Sequence, residues 1–359
     1  MPSSMKRDLL IDGVRVADDA PCYVIGEMGH NHQGSAVKAT ALIEACAEAG
    51  VSAVKLQKRD NPRIYTQALL DAPYDNPHSY GATYGQHRAA LEFDGDQFDV
   101  CVAAARRHSV TLFSTAFDQR SVDFLMERGA PALKIASGDL TNTPLIGFAA
   151  RQGVPVLLST GGGTLDDIYR AVDAASKHTH DLAVLHCTAA YPVHDFAELN
   201  LRAVETLRRA FPDYVIGWSG HDTGIAMSVL AYALGARIIE KHVTLNRAAK
   251  GSDHAFSLEP NGLRRLTRDL RRARLAMGDG VKKVYESEQA PLRKMQKSLV
   301  AARPLEVGTV LREDDLVAKS PGGGMPPFMR KELVGWPLTH ALATDEPVTF
   351  AHLKSETHA

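Results

Sequence analysis

At 359 residues, with 45% hydrophobic and 23% charged residues, the chain has the make-up of a globular protein with room for one large core and a smaller domain. Its formal net charge of −1 gives nucleic acid or an anionic membrane no general electrostatic reason to bind, and no stretch approaches the roughly 18 apolar residues of a membrane span. Four cysteines, Cys22, Cys46, Cys101 and Cys187, lack CxxC spacing; this excludes a zinc ribbon or a disulfide framework and points to reduced thiols in a cytoplasmic protein.

The opening residues, Met1 to Asp12, carry Lys6, Arg7 and Asp8 but no long apolar run, so no signal peptide is expected. From Tyr23 to about Met277 a pattern repeats: a short β-branched run, a few polar or glycine residues, then an amphipathic helix. The runs are 23–27, 53–57, 110–114, 132–136, 156–160, 182–186, 215–218 and 238–242. Between them lie helical patterns at 36–49 (capped at Ser35, stopped by Gly50), 97–108, 121–128, 165–177, 201–211, 225–234 and 261–277. Strands alternating with helices at this rhythm mean parallel βαβ units, and eight of them predict an α/β fold, a (β/α)8 TIM barrel. An open doubly wound sheet is the alternative, but no GxGxxG follows the first run.

The connection from Arg59 to Phe93 is too long for a simple βα loop and is rich in Tyr, Pro, Asn, Gly and His, as binding loops and lids often are. After Met277 the character changes. The expected division is a barrel over 1–280, a polar linker over 281–296 and a small β-rich domain over 297–359.

Barrel enzymes build their sites at the C-terminal strand ends, which makes those residues the candidates. They are Glu27, Lys55, Gln57, Ser114, Thr115, Lys134, Ser137, Asp139, Ser159, Thr160, His186, Thr188, Tyr191, Ser219, His221, Glu240 and His242. Two lysines with several hydroxyls suit a phosphate and a carboxylate. Two imidazoles, His221 and His242, with the carboxylate of Glu240, suit a divalent metal. Each has a structural alternative: Lys55 can snorkel to the rim, Ser159 and Thr160 can cap a helix, and His186 can be a satisfied core histidine. Their convergence on nearly every strand end favours function.

Several motifs in order resemble the sialic acid synthases: Ile25-Gly26-Glu27-Met28-Gly29-His30-Asn31-His32, Val54-Lys55-Leu56-Gln57, Lys134-Ile135-Ala136-Ser137-Gly138-Asp139, Leu185-His186-Cys187-Thr188, Ser219-Gly220-His221-Asp222 and Glu240-Lys241-His242. The resemblance covers nearly the whole chain, including a C-terminal antifreeze-like (SAF) domain over Lys297 to Leu353. It implies condensation of phosphoenolpyruvate with N-acetylmannosamine or its 6-phosphate to give a nonulosonic acid. It implies that Lys55, Thr115, Lys134, Ser137, Ser159, His186 and Ser219 bind phosphoenolpyruvate, and that His221 and His242 hold a divalent metal, usually manganese, with Glu240 nearby and magnesium as the alternative ion. Glu27, Gln57, Asp139, Tyr191 and Asp253 then contact the amino sugar and position reacting groups, with Glu27 as base or water-orienting group. A domain-swapped homodimer is also implied.

Asp139 stands where many bacterial members have Glu, and Lys319-Ser320-Pro321 stands where they carry an arginine. With Tyr84-Gly85-Gln86-His87 and Lys250-Gly251-Ser252-Asp253-His254, these features resemble the branch that takes the 6-phosphate and yields a 9-phosphate. The other readings are a legionaminate, pseudaminate, keto-octulosonate or heptulosonate phosphate synthase, or a non-catalytic sugar-binding protein.

Overall fold

In the computed structural model the short aliphatic runs become eight parallel strands that close on themselves. The structure describes residues 7–353, in two units, Met1–Gly278 and Asp279–Ala359. The first unit opens with an antiparallel hairpin, β1 (Asp8–Ile11) and β2 (Val14–Ala17). The barrel strands follow: β3 (Tyr23–Glu27), β4 (Ala53–Lys58), β5 (Thr111–Ala116), β6 (Leu133–Ile135), β7 (Val156–Ser159), β8 (Leu182–Cys187), β9 (Val215–Gly220) and β10 (Ile238–His242). Each pairs with the next in sequence, and β10 returns to β3 in parallel register, His242 opposite Glu27.

Side chains alternate between the two faces of each strand. Tyr23, Ile25, Ala53, Phe113, Leu157, Ala183, Leu185, Val215 and Ile238 pack inside the barrel, while Val24, Val54, Ile216, Trp218 and Ile239 join the layer between barrel and helices. The hairpin belongs to the inner set. Leu9, Ile11 and Val16 pack against the barrel interior beside the strand starts, while Leu10 and Val14 face solvent. Its turn is Asp12-Gly13, both at positive φ (49° and 76°), the conformation a tight two-residue hairpin demands. Asp-Gly between alternating apolar residues is a hairpin signal that a search for targeting segments passes over.

All the expected helices form, with ends displaced by no more than two residues. One more, Thr143–Ala150, follows β6 and has no amphipathic stripe to reveal it, because Leu145, Ile146, Gly147, Ala149 and Ala150 are all buried. The long connection carries a helix at Tyr84–Leu91, capped by Thr83, on which Tyr65, Tyr74 and Tyr80 pack through Tyr84 and His87.

Gly34 ties this excursion to the barrel. It sits at φ +72°, and a Cβ there would lie 2.2 Å from the carbonyl oxygen of Ala90, next to the end of that helix. Gly34→Ala should therefore lower the melting temperature, by an amount equivalent to at least about 1–3 kcal/mol for the strained backbone alone. An unchanged melting temperature would show that the helix yields without cost.

The second unit has its own apolar core of Leu299, Ala301, Leu305, Leu311, Leu316, Met325, Leu333, Leu338, Leu342, Val348 and Leu353. A two-stranded antiparallel sheet, β11 (Ser298–Ala301) and β12 (Leu316–Lys319), and isolated bridges organise it. Among the described residues, no helix is long and apolar enough to cross a membrane. All four cysteines are free thiols.

Candidate active site

At the C-terminal end of the barrel the inward positions change from apolar to polar, one or two residues beyond the hydrophobic layer. A cavity of about 410 Å³ opens there. The alternation brings Glu27, Lys55, Gln57, Thr115, Lys134, Ser159, Ser219, His221, Glu240 and His242 to its wall, and the loops add Ser137, Tyr191 and Asp253. Lys55 and Lys134 form its floor, each side chain only 3% exposed.

The two ammonium groups are held by interlocked partners. Lys55 Nζ lies 2.6 Å from Glu27 Oε2 and donates to Thr115 Oγ1 at 2.8 Å. Lys134 Nζ donates to Ser159 Oγ at 2.5 Å. Glu240 lies between them, 3.9 Å from Lys55 and 3.7 Å from Lys134, and accepts from Ser219 Oγ at 3.0 Å. Burial works to raise the Glu240 carboxyl, but Lys134 and Lys55 outweigh it and hold the group down at about 2. Burial lowers Lys134, with Glu240 opposing the shift. Glu27 is raised instead, by burial first and by the charge of Glu240, against the pull of Lys55. Gln57 Nε2 fixes the other Glu27 oxygen at 2.7 Å. Two adjacent carboxyls are thus driven apart, one a firm anion and the other able to take a proton.

The imidazoles form a second cluster. The rings of His221 and His242 stand 5.3 Å apart between centroids, with Tyr191 4.1 Å from His221. Burial and mutual proximity push His221 down to about 3; burial pushes His242 down to about 4, so both are neutral. His221 Nδ1 lies 2.9 Å from the carbonyl oxygen of Thr188, an acceptor only, so Nδ1 carries the proton and Nε2 keeps its lone pair. His242 Nδ1 is buried with no hydrogen-bond partner, 3.5 Å from Asp253 Oδ2. Neutral imidazoles, one with its tautomer fixed by a carbonyl and the other with an orphaned ring nitrogen, fit a divalent cation. Glu240 turns toward the lysines rather than the histidines, and among the described residues no three His, Cys, Asp or Glu side chains gather into a ready-made metal cage.

Five expected residues stand outside the cavity lining: Ser114, Thr160 and Thr188, whose hydroxyls donate to the backbone carbonyls of Thr115, Leu185 and Glu198, and His186 and Asp139. His186 falls on the outward phase of β8, between inward Leu185 and inward Cys187, and its Nε2 binds the carbonyl oxygen of Leu199 at 2.7 Å. The inward place on that strand is taken by Cys187, whose thiol is raised by burial. Asp139 lies beyond the end of β6 in a 3-10 turn, accepts from Asn142 at 3.0 Å and faces a separate cleft with Arg63 and Asn142. Ser137 stays at the cavity, with its hydroxyl receiving the amide of Gly161 at 3.0 Å.

His30, Arg59 and Arg88, none of them among the expected site residues, line the mouth. The Lys250–His254 loop closes one side. Its Lys250 carbonyl accepts from Gln33 Nε2 at 2.6 Å and from the Tyr80 hydroxyl at 2.5 Å, joining it to the long connection. His254 is buried against Thr244 Oγ1 at 2.7 Å.

Comparison with known proteins bears on the family and the domain order. Residues 42–282 match the model of the NeuB family, and residues 296–354 match that of the SAF domain. The chain is 36% identical to the human N-acetylneuraminate-9-phosphate synthase over 94% of either chain. It is also 36% identical to the N,N'-diacetyllegionaminic acid synthase of Campylobacter jejuni, over 90% of this chain and 97% of that one. A solved N-acetylneuraminic acid synthetase from Leptospira borgpetersenii, in complex with citrate, superposes with a TM-score of 0.70 at 30% identity, covering 80% of this chain and 96% of that one.

Proposed function

The chain belongs to the NeuB family, and on that footing we propose that it condenses phosphoenolpyruvate with N-acetylmannosamine 6-phosphate, releasing phosphate and forming a nine-carbon sialic acid 9-phosphate. The observation that carries this reading is the pair of buried lysines on the cavity floor, facing a pair of neutral histidines across Glu240.

Lys55 and Lys134, with Thr115, Ser137, Ser159 and Ser219, take the phosphate and carboxylate of phosphoenolpyruvate and fix which face of its C3 is presented. C3 attacks the C1 carbonyl carbon of the sugar; a C–C bond forms, the carbonyl oxygen takes up a proton, and positive character is left at C2. Water adds at C2, giving up a proton to a basic group, and phosphate departs from C2 with C–O cleavage to leave the 2-keto acid. Glu27, raised by burial and braced by Gln57, orients that water and receives its proton. His221 and His242 would hold a divalent metal, manganese or magnesium, which when bound supplies a Lewis acid for the acceptor's carbonyl oxygen. Tyr191 and Asp253 border the acceptor.

The same reading makes the protein a cytoplasmic homodimer, in keeping with its free thiols and with a phosphorylated metabolite as donor. The match to a diacetyllegionaminic acid synthase names the second reading, in which the acceptor is an unphosphorylated diacetamido hexose. Incubation with phosphoenolpyruvate and each acceptor in turn, followed by product mass and phosphate release, separates the two. The expected product is the 9-phosphate. Turnover of the unphosphorylated sugars alone would overturn the acceptor assignment, and absence of phosphate release with every aldose would overturn the condensation itself.

A further inference from the structure

The cavity floor neutralises its own charges: Lys55 faces Glu27, and Lys134 faces Glu240. The mouth does not. Arg59 and Arg88 both line it, and among the described residues neither guanidinium has a carboxylate ion partner. Arg59 continues the inward phase of β4 two residues past Gln57 and is only 6% exposed. One face of its guanidinium stacks on Phe117, 4.0 Å from the ring centroid. Its Nη1 binds His30 Nε2 at 2.7 Å, its Nη2 binds Gln57 Oε1, and its buried Nε has no partner.

The nearby carboxylates are otherwise engaged. Glu92 takes Lys58 Nζ at 2.7 Å and the backbone amide of Arg59 at 3.0 Å, and Asp139 takes Asn142. Arg88 reaches the same space from the helix of the long connection, its Nε donating to the Tyr84 hydroxyl at 2.8 Å and its guanidinium lying 4.9 Å from that ring's centroid. Two permanently charged guanidiniums on one cavity wall, one of them buried with an unused donor, repel each other unless an anion lies between them. Under the proposed function the phosphoenolpyruvate phosphate goes to the floor lysines, which leaves the mouth pair for a second anion.

We propose that Arg59 and Arg88 form a second anion subsite that binds the terminal phosphate of the acceptor sugar and so selects the phosphorylated hexose over the free one. This rests on the condensation proposed above and assigns the residues that read its acceptor. Planar forks suit a phosphate's oxygens. Carrying one fork on the barrel and the other on the 84–91 helix makes the phosphate a clasp between the two.

The test compares wild type with Arg59→Met and Arg88→Met, using N-acetylmannosamine 6-phosphate and free N-acetylmannosamine as acceptors. Wild type should prefer the phosphorylated sugar. Each substitution should lower that preference, the ratio of the two kcat/KM values, by about 10- to 100-fold, the size of one lost charge-assisted hydrogen bond. KM for phosphoenolpyruvate should be unmoved in Arg88→Met, which touches nothing on the floor. A wild type indifferent to the phosphate would sink the acceptor reading before either variant is made. A wild type that prefers the phosphate, with variants that lose activity equally on both sugars or only toward phosphoenolpyruvate, would overturn the subsite alone. Should Arg59→Met fail to fold, Arg88→Met decides on its own.

Discussion

Lys134→Met is expected to lower kcat/KM by more than about 10³-fold and to destabilise the protein by roughly 3–5 kcal/mol, two effects that can be told apart. The stability loss has a definite source. Lys134 is one of two ammonium groups facing Glu240, and its removal leaves a buried carboxylate with a weakened counter-charge. The rate loss has another: the cavity floor would then present a single ammonium to a donor that carries both a phosphate and a carboxylate. A paired Lys134→Met/Glu240→Gln variant removes the orphaned charge together with its partner. It should regain much of the melting temperature but none of the turnover. Recovery of activity in the pair would mean that Lys134 serves only to neutralise Glu240.

Replacing His221 and His242 together by alanine should abolish manganese binding, measured by titration calorimetry on the folded protein, and lower turnover on the order of 10³-fold. Chelator treatment of wild type should have the same effect on turnover, reversed by added manganese. The two imidazoles are held differently. His221 has its Nδ1 proton fixed by the Thr188 carbonyl, whereas His242 has Asp253 near an orphaned Nδ1. Loss of Asp253 should therefore weaken the metal through His242 with His221 intact. Unaltered manganese affinity in the double variant would place the metal elsewhere or dispense with it.

Much of this was legible in the sequence because a parallel barrel converts linear order into geometry. Once eight strands close, the residues at their C-terminal ends have to meet, so Lys55, Lys134, His221, Glu240 and His242 could be brought together from spacing alone. Finer placement depended on strand phase. His186 was read as a strand-end candidate, yet the inward set on β8 is Ala183, Leu185 and Cys187, which turns the imidazole toward Leu199. The same two-residue phase run forward from Ala53 through Lys55 and Gln57 would have found Arg59.

Asp139 escaped because a 3-10 turn follows β6 at once, and a turn breaks the phase. Arg88 had no signal of this kind. Its position depends on how a connection of some 35 residues folds back over the mouth, which tertiary packing of Tyr65, Tyr74, Tyr80 and His87 decides rather than local pattern.

The hairpin at the start of the barrel bears on traffic through the site. Leu9, Ile11 and Val16 stopper the end where the strands begin, so the barrel is a blind well with one opening. Whatever rests on Lys55 and Lys134 at its floor must arrive before the mouth beside Arg88 and half-exposed Tyr191 is filled. If the donor sits on those lysines as proposed, it is expected to bind before the sugar, and product inhibition patterns that show random order would contradict this.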